Sequence, residues 1–401
     1  MQKKKSVSLF SRYADKTIII ATLVMLVFGS LMIISAEMGN NAGDTGTITS
    51  TAIKQGLFCV LGIIAFVILS RMRILKFRVH YYWIAYFILL FVLLSTRIFG
   101  AANGAYAWIR FGNFTLQPSE FAKVFIIAFG AKMVGVDRRE QNKNFFLRYF
   151  VAVLAYVFII VVWQHDLGSG VVLFAIAYCI CLIPNYREIK EYQKWMFRLV
   201  LVGVIGIVFI LSPWGTKLLE KLGGGSYQIA RFLASADPFK YQYDDGYHLI
   251  MSLVSFATGN LFGLGYGNSI HKYMNFPNPS TDFILPVMVE ELGLIGFILF
   301  LLIYFFILFP IIRYSIKVKY NSSKMVLFGV SLYFIIHFIL NVGGVSGLIP
   351  LTGVPILLLS YGGSSTLASL CALGLAESEI IRYRKDLEDE NYSGQIQANQ
   401  S

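Results

Sequence analysis

Apolar residues gather in ten long runs, at 17–36, 54–70, 80–99, 117–135, 149–165, 167–184, 197–213, 286–312, 325–343 and 363–381. A hydrocarbon layer about 30 Å thick takes roughly 20 apolar residues in a helix. The runs therefore predict an all-α polytopic membrane protein with ten transmembrane helices. They are unbroken and lack period-2 alternation, which argues against a β-barrel. Between the fifth and sixth runs only Gln164-His165-Asp166 intervenes, followed by Gly168-Ser169-Gly170; a tight hairpin is predicted there. The run at 17–36 is followed by many more, so it reads as a retained helix rather than a cleaved leader. The eighth run is 27 residues, roughly 40 Å of helix, and its start is expected to project outward. Residues 214–285 form one large extracytoplasmic loop, a length usually reserved for function. Its stretch 247–262 is apolar enough to lie in the interface or re-enter the membrane. The predicted organisation is a tail at 1–16, a membrane domain at 17–383 and a tail at 384–401, with disorder expected at 1–10 and 388–401.

Composition agrees. The 401 residues are 57% hydrophobic and 14% charged, against about 45–50% and about 25% in soluble domains. The net charge of +12 would suggest nucleic acid in a soluble protein, but its placement is topological. Segments 1–16, 71–78, 132–148, 185–198, 313–324 and 382–401 hold 25 of the 34 Lys and Arg, and ten spans put all six on one side. The positive-inside rule makes that side, and both termini, cytoplasmic; no nucleic-acid partner is called for. Cys59, Cys179, Cys181 and Cys371 all lie within apolar runs, so no disulfide framework or CxxC metal site is expected.

Three outside clusters carry candidate chemistry. In the first, Asn103-Gly104-Ala105-Tyr106-Ala107-Trp108-Ile109-Arg110 precedes Gln117-Pro118-Ser119-Glu120-Phe121-Ala122-Lys123. Pro118 suits a first helical turn, and Glu120 and Lys123, three apart, share a face. They form either a structural ion pair or a cation held for an anionic headgroup; Trp108 by itself reads as an interfacial anchor. The second cluster is Ser280-Thr281-Asp282-Phe283 with Pro286 and Glu290-Glu291-Leu292-Gly293. Asp282 is either a helix cap or an ionised carboxylate favoured by a helix start. Glu290 and Glu291 are adjacent, cannot share a face, and are expected to pair structurally. The third cluster, Gly343-Gly344 and 347–365, ends in Ser360-Tyr361-Gly362-Gly363-Ser364-Ser365, whose glycines permit close backbone approach and whose amides suit a phosphate. No P-loop accompanies it, so nucleotide binding is unsupported. No internal repeat is evident, which weakens a transporter reading.

In this order the clusters resemble the SEDS family of peptidoglycan glycosyltransferases, the FtsW/RodA/SpoVE proteins. The likeness extends over nearly all ten spans and is carried by 103–123, Asp237-Pro238, Gly246-Tyr247, 263–272, 281–296 and 347–365. The Gly267-Asn268-Ser269…Lys272 ending is closer to the FtsW/SpoVE branch. The chain departs from the pattern at Ala107, where a basic residue is usual, and at Pro277-Asn278-Pro279-Ser280, where Pro-Glu-x-His is usual. It departs again at 356–359, which lacks a Pro-Phe, and at Pro286. No role resting on the missing arginine or histidine carries over.

The resemblance implies polymerisation of lipid II outside the bacterial cytoplasmic membrane, for division, cell shape or the sporulation wall. A sugar 4-hydroxyl attacks an anomeric carbon and undecaprenyl pyrophosphate leaves. It makes Asp282 the catalytic base or the ligand of a divalent cation, Mg²⁺ or Mn²⁺. Lys123, helped by Arg110, neutralises the pyrophosphate, and Trp108, Gln117, Ser119, Glu120, Ser364 and Ser365 complete the substrate site. The implied partners are a class B penicillin-binding protein transpeptidase and other divisome or elongasome proteins. Two rival classes stay open, a lipid-linked precursor flippase and a non-catalytic scaffold.

Overall fold

The computed structural model describes residues 9–40, 44–101, 104–112, 114–135, 142–212, 214–215, 233–243, 245–274, 276 and 278–400. In chain order the described helices are α1 (Leu9–Tyr13), α2 (Lys16–Asn40), α3 (Thr45–Arg71), α4 (Val79–Ser95), α5 (Pro118–Met133), α6 (Asn142–Phe158), α7 (Leu167–Cys181), α8 (Lys190–Leu211), α9 (Asp245–Gly259), α10 (Ile284–Lys317), α11 (Asn321–Val345) and α12 (Gly363–Gln400). Each of the ten apolar runs falls on one of them. Six segments are long and apolar enough to cross a bilayer: Lys16–Gly39, Thr45–Arg71, Val79–Phe99, Asn144–Trp163, Ile284–Lys317 and Asn321–Val345. The outward faces are apolar, as with Ile53, Val60, Ile64 and Ile68 on α3 and Ile298, Leu302 and Phe305 on α10. The inside holds Glu120, Lys123, Lys272, Glu290, Glu291 and Glu377, all buried. Charge inside and hydrocarbon outside is the arrangement a lipid solvent imposes.

Three local features add to the ten apolar runs. Residues 100–116 contain a hairpin, β1 (Ile109–Phe111) antiparallel to β2 (Phe114–Leu116). The stretch 247–262 forms most of α9, which packs on α10. And α12 continues to Gln400, through residues whose polarity suggested disorder. There Lys319 Nζ donates to Glu390 at 2.8 Å and Arg12 pairs with Glu388, so the extension is held from outside its own sequence. The N-terminal tail up to residue 8, and 216–232 of the large loop, lie outside the described residues.

The run at 286–312, read in the sequence as one helix of roughly 40 Å, is not continuous. Gly293, at φ 67° and ψ −169°, breaks the helix, leaving an N-terminal part of nine residues, about 13 Å long. A helix broken in an apolar layer must find new partners for its orphaned groups, and segment 259–265 supplies them. Leu264 N–H donates to the Glu290 carbonyl and Gly265 N–H to that of Glu291, both at 2.9 Å; Leu294 N–H donates to the Asn260 carbonyl at 2.9 Å and Ile295 N–H to that of Leu261 at 3.2 Å. The approach requires glycine on both sides: a Cβ at Gly263 would lie 2.2 Å from the Glu291 oxygen, and one at Gly293 2.4 Å from the Leu261 oxygen.

The two carboxylates beside the break turn to different partners, as adjacent helical residues must. Glu290 accepts from Ser269 Oγ (2.6 Å), His271 Nδ1 (2.7 Å) and the Ile270 amide (3.1 Å). Glu291 pairs with Lys272 Nζ at 2.6 Å and accepts from Ser35 Oγ on α2, which itself accepts from Lys272 at 3.0 Å. The loop's last stretch is thereby clamped to α2 and α10 just before Asp282. Removing one member of a buried ion pair typically costs about 3–5 kcal/mol. Lys272→Met should lower thermal stability in detergent by a loss of that order, and Lys272→Met with Glu291→Gln should recover part of it, as read by unfolding monitored with intrinsic fluorescence.

Candidate functional site

Four helices begin at one place. The N-terminal ends of α5, α7, α10 and α12 border a cavity of about 340 Å³, through Gln117, Asp166, Asp282 and Gly363 with their neighbours. Each helix start carries a partial positive charge and unspent amides, so their convergence favours an anion. The order follows from the chain, since all four helices run from the same face. The β1–β2 hairpin and the 353–362 loop complete the wall.

Small polar contacts fix these ends together. The Gln117 amide donates to Ser364 Oγ at 2.9 Å, tying α5 to α12. Gln117 Nε2 donates to Asp166 Oδ2 at 3.0 Å and to Ser169 Oγ at 3.3 Å, tying α5 to α7. Asp166 caps α7 by accepting from the Ser169 amide at 3.0 Å. The Tyr361 amide donates to the Ser280 carbonyl at 2.7 Å, and Asn341 Nδ2 donates to the carbonyls of Asp282 (2.9 Å) and Val354 (2.8 Å). Thus the backbone of Asp282 is held from α11, and its turn is held by the glycine-rich loop. The N-cap of α10 is Phe283, so Asp282 sits one residue before the cap. Its half-buried side chain lines the cavity.

The cavity also reaches Lys123. Its ammonium donates to Glu120 Oε1 at 2.6 Å and meets His337 Nε2 at 3.1 Å, while Tyr333 OH donates to Glu120 Oε2 at 3.2 Å. His337 Nδ1 lies 3.0 Å from the Pro355 carbonyl. A lysine donor on Nε2 and a carbonyl acceptor at Nδ1 together require the neutral imidazole with its proton on Nδ1. All four side chains are buried. Burial, with the Glu37 carboxylate as a smaller influence, raises the Tyr361 hydroxyl above its ordinary pKa, keeping it a donor at the cavity wall.

Of the residues singled out in the sequence, Asp282, Lys123, Trp108, Gln117, Glu120, Ser364 and Ser365 line this one cavity. Two do not. Arg110 is exposed on the hairpin and donates to the Ala101 carbonyl at 3.3 Å. Ser119 is fully buried outside the lining, its hydroxyl without a partner among the described residues. Among the departures, Ala107 is buried in the wall and Pro286 fits the first turn of α10; Pro277 lies outside the described residues. The sequence reading missed Lys54 and Asp166 on the lining, and His337, Tyr333 and Asn341 behind it. The last three recur every fourth residue along an apolar helix, a polar stripe that could have been noticed.

Comparison with known proteins gives the family. The FtsW/RodA/SpoVE family model, described as "Cell cycle protein", matches residues 15–385. Stage V sporulation protein E of Bacillus subtilis (strain 168) is 33% identical over 377 residues, covering 92% of this chain and 98% of its own. The protein named "Probable peptidoglycan glycosyltransferase FtsW" in the same organism is 31% identical over 381 residues, covering 93% and 92%. A chain solved in "Structural coordination of polymerization and crosslinking by a peptidoglycan synthase complex" superposes with a TM-score of 0.69 at 22% identity, over 92% of this chain and 98% of that one. Thermus thermophilus RodA superposes with a TM-score of 0.59 at 20% identity, over 92% and 97%; both likenesses are of fold. The family match covers nearly the whole chain: it belongs to the FtsW/RodA/SpoVE family.

Proposed function

We propose that this chain is a peptidoglycan glycosyltransferase that polymerises lipid II into glycan strands on the outer face of the bacterial cytoplasmic membrane. The observation that carries the reading is the meeting of Asp282 and Lys123 in a cavity bordered by four helix starts, in a chain whose relatives are named for this activity. The protein is multi-pass. Ten spans with both ends cytoplasmic put the cavity outside, and the 25 of 34 basic residues in six alternate segments support that orientation.

The chemistry asks for a proton acceptor beside a sugar hydroxyl and a positive field beside a departing pyrophosphate. Asp282 takes the proton of the attacking 4-hydroxyl as its oxygen bonds to the anomeric carbon. The bond from that carbon to pyrophosphate breaks on the opposite side, and the leaving group is received by the amides of Gly362 to Ser365 and by Lys123. Lys123 has three N–H donors; two are spent on Glu120 and His337, and the third serves the substrate. Trp108 offers an apolar face to a sugar, and Gln117 keeps the starts of α5, α7 and α12 in register.

Charge accounting bears on the cation. Among the described residues, the lining holds Lys54 and Lys123 against Glu120, Asp166 and Asp282, so a pyrophosphate enters a site already short of positive charge. No three His, Cys, Asp or Glu side chains gather into a metal cage among the described residues. Mg²⁺ or Mn²⁺ would therefore be held by Asp282 with phosphate oxygens and water, the usual habit of Mg²⁺ at phosphates, and would supply neutralisation of the pyrophosphate. A class B penicillin-binding transpeptidase is the proposed partner, in keeping with the synthase complex among the structural relatives.

Asp282→Asn should leave folding and membrane insertion intact and lower polymerisation of lipid II by about 10²–10⁴-fold, the usual worth of a general base; activity within tenfold of wild type would return Asp282 to a structural role. His337→Leu should cut turnover by removing the acceptor that steadies Lys123, whereas His337→Gln, which keeps an acceptor and a donor, should recover most of it; equal losses in the two variants would mean packing alone. For the topology, a cysteine at exposed Asn268 should be labelled by an impermeant reagent from outside, and one at Lys319 only after the inner face is opened. The reverse pattern would overturn the orientation.

A further inference from the structure

A second cavity, of about 370 Å³, lies at the far end of the molecule from Asp282. Helix α12 spans the distance: its first turn lines the first cavity, and residues between Glu379 and Glu390 line the second. The remaining walls come from the connector after α3 and the short link between α10 and α11. None of these groups enters the chemistry above.

The charges of this cavity divide into paired and unpaired sets. Lys319 donates to Glu390 at 2.8 Å. Arg382 lies 3.7 Å from Glu379 and 3.9 Å from Asp386, with its guanidinium 5.0 Å above the Tyr320 ring. Three more cations line the cavity, Arg73 and Lys76 from the connector and Lys385 from α12. None of these three side chains has an ion-pair or hydrogen-bond partner among the described residues, and Asp389 is the one lining carboxylate left outside the ion pairs. Leu387 adds exposed apolar surface at the same place, with Val318 buried behind the wall. Three unpaired cations converge from two separate elements on a hollow that is part apolar, at the mouth of a helix bundle.

We propose that this cavity binds the phosphate of an anionic phospholipid headgroup, with Arg73, Lys76 and Lys385 as its cationic contacts. Basic hollows between transmembrane helices on the cytoplasmic side suit such headgroups, and each juxtamembrane cation strengthens attraction to anionic lipid. The identification of this face as cytoplasmic rests on the topology proposed above. The chemistry of the hollow does not. A phosphate monoester free in solution shares the recognition chemistry, and the apolar surface favours the lipid, whose glycerol and first methylenes can lie against Leu387.

The test uses the full chain in detergent, stripped of lipid and then titrated separately with phosphatidylglycerol, cardiolipin, phosphatidylcholine and inorganic phosphate. Native mass spectrometry counts the bound molecules. Wild type should retain one anionic lipid and no phosphatidylcholine. The variant R73Q/K76Q/K385Q should bind it on the order of 100-fold more weakly, the expectation for losing three such cations. The variant R187Q/K190Q, exposed cations of the 185–198 segment outside the cavity, should bind as wild type does. Thermal unfolding of each variant without lipid establishes that it is folded. Undiminished anionic-lipid binding by the triple variant would overturn the proposal, as would an equal loss in the control, which would mean a diffuse basic face. Displacement of the lipid by millimolar inorganic phosphate would overturn the lipid as ligand and assign the hollow to a soluble phosphate. No outcome depends on glycan synthesis, so failure here leaves the glycosyltransferase reading untouched.

Discussion

A helix interrupted within an apolar layer exposes amides and carbonyls that no water reaches, and α10 is interrupted at Gly293. The four backbone hydrogen bonds from 260–265 that repair the break also bring the end of the large loop against the bundle. With the loop anchored there, Lys272 comes between Glu291 and Ser35, and His271 reaches Glu290. Asp282 lies eight residues before Glu290 on the same short stretch of chain. Its position is therefore set from two sides, by the repaired break below and by Asn341 through its carbonyl.

The same need to satisfy polar groups in a dry interior accounts for the site's second half. Lys123 and Glu120 are buried together with Tyr333 and His337. A buried pair of this kind adds little net stability relative to apolar packing, but it is costly to break. What it does supply is a fixed ammonium at the edge of a cavity, with its orientation fastened through His337 to Pro355 on the loop that forms the opposite wall. Fixed dipoles and charges need no reorganisation when a leaving group departs. The four helix starts act in the same sense, and the contacts of Gln117 keep three of them in register.

Much of this was legible in the sequence because lipid is a simple solvent. Ten apolar runs located the helices, and the quartet Gln117-Pro118-Ser119-Glu120 marked the start of α5 with its proline in the first turn. What local pattern cannot express is contact between distant segments. The fate of Arg110 depended on the short β1–β2 hairpin, which has too few residues to show a period, and its guanidinium turns to Ala101. Gly293 sits inside the run at 286–312, which stays strongly apolar on average despite Glu290 and Glu291, so hydropathy alone reads through the break. His337 drew no attention on its own; its role comes from Lys123 and the Pro355 carbonyl, which distant segments bring to it. The helical course of α12 beyond residue 388 likewise depends on Lys319 and Arg12, which belong to other parts of the chain.

The central proposal is that this cavity joins sugars. The direct measurement is to supply purified lipid II to the purified wild-type protein, alone and with a class B transpeptidase partner, and to resolve the products by gel. Glycan strands longer than the starting disaccharide, made by wild type and not by Asp282→Asn, are the predicted result. Unchanged lipid II under every combination of partner and divalent cation, from protein that is folded in the membrane, would contradict it.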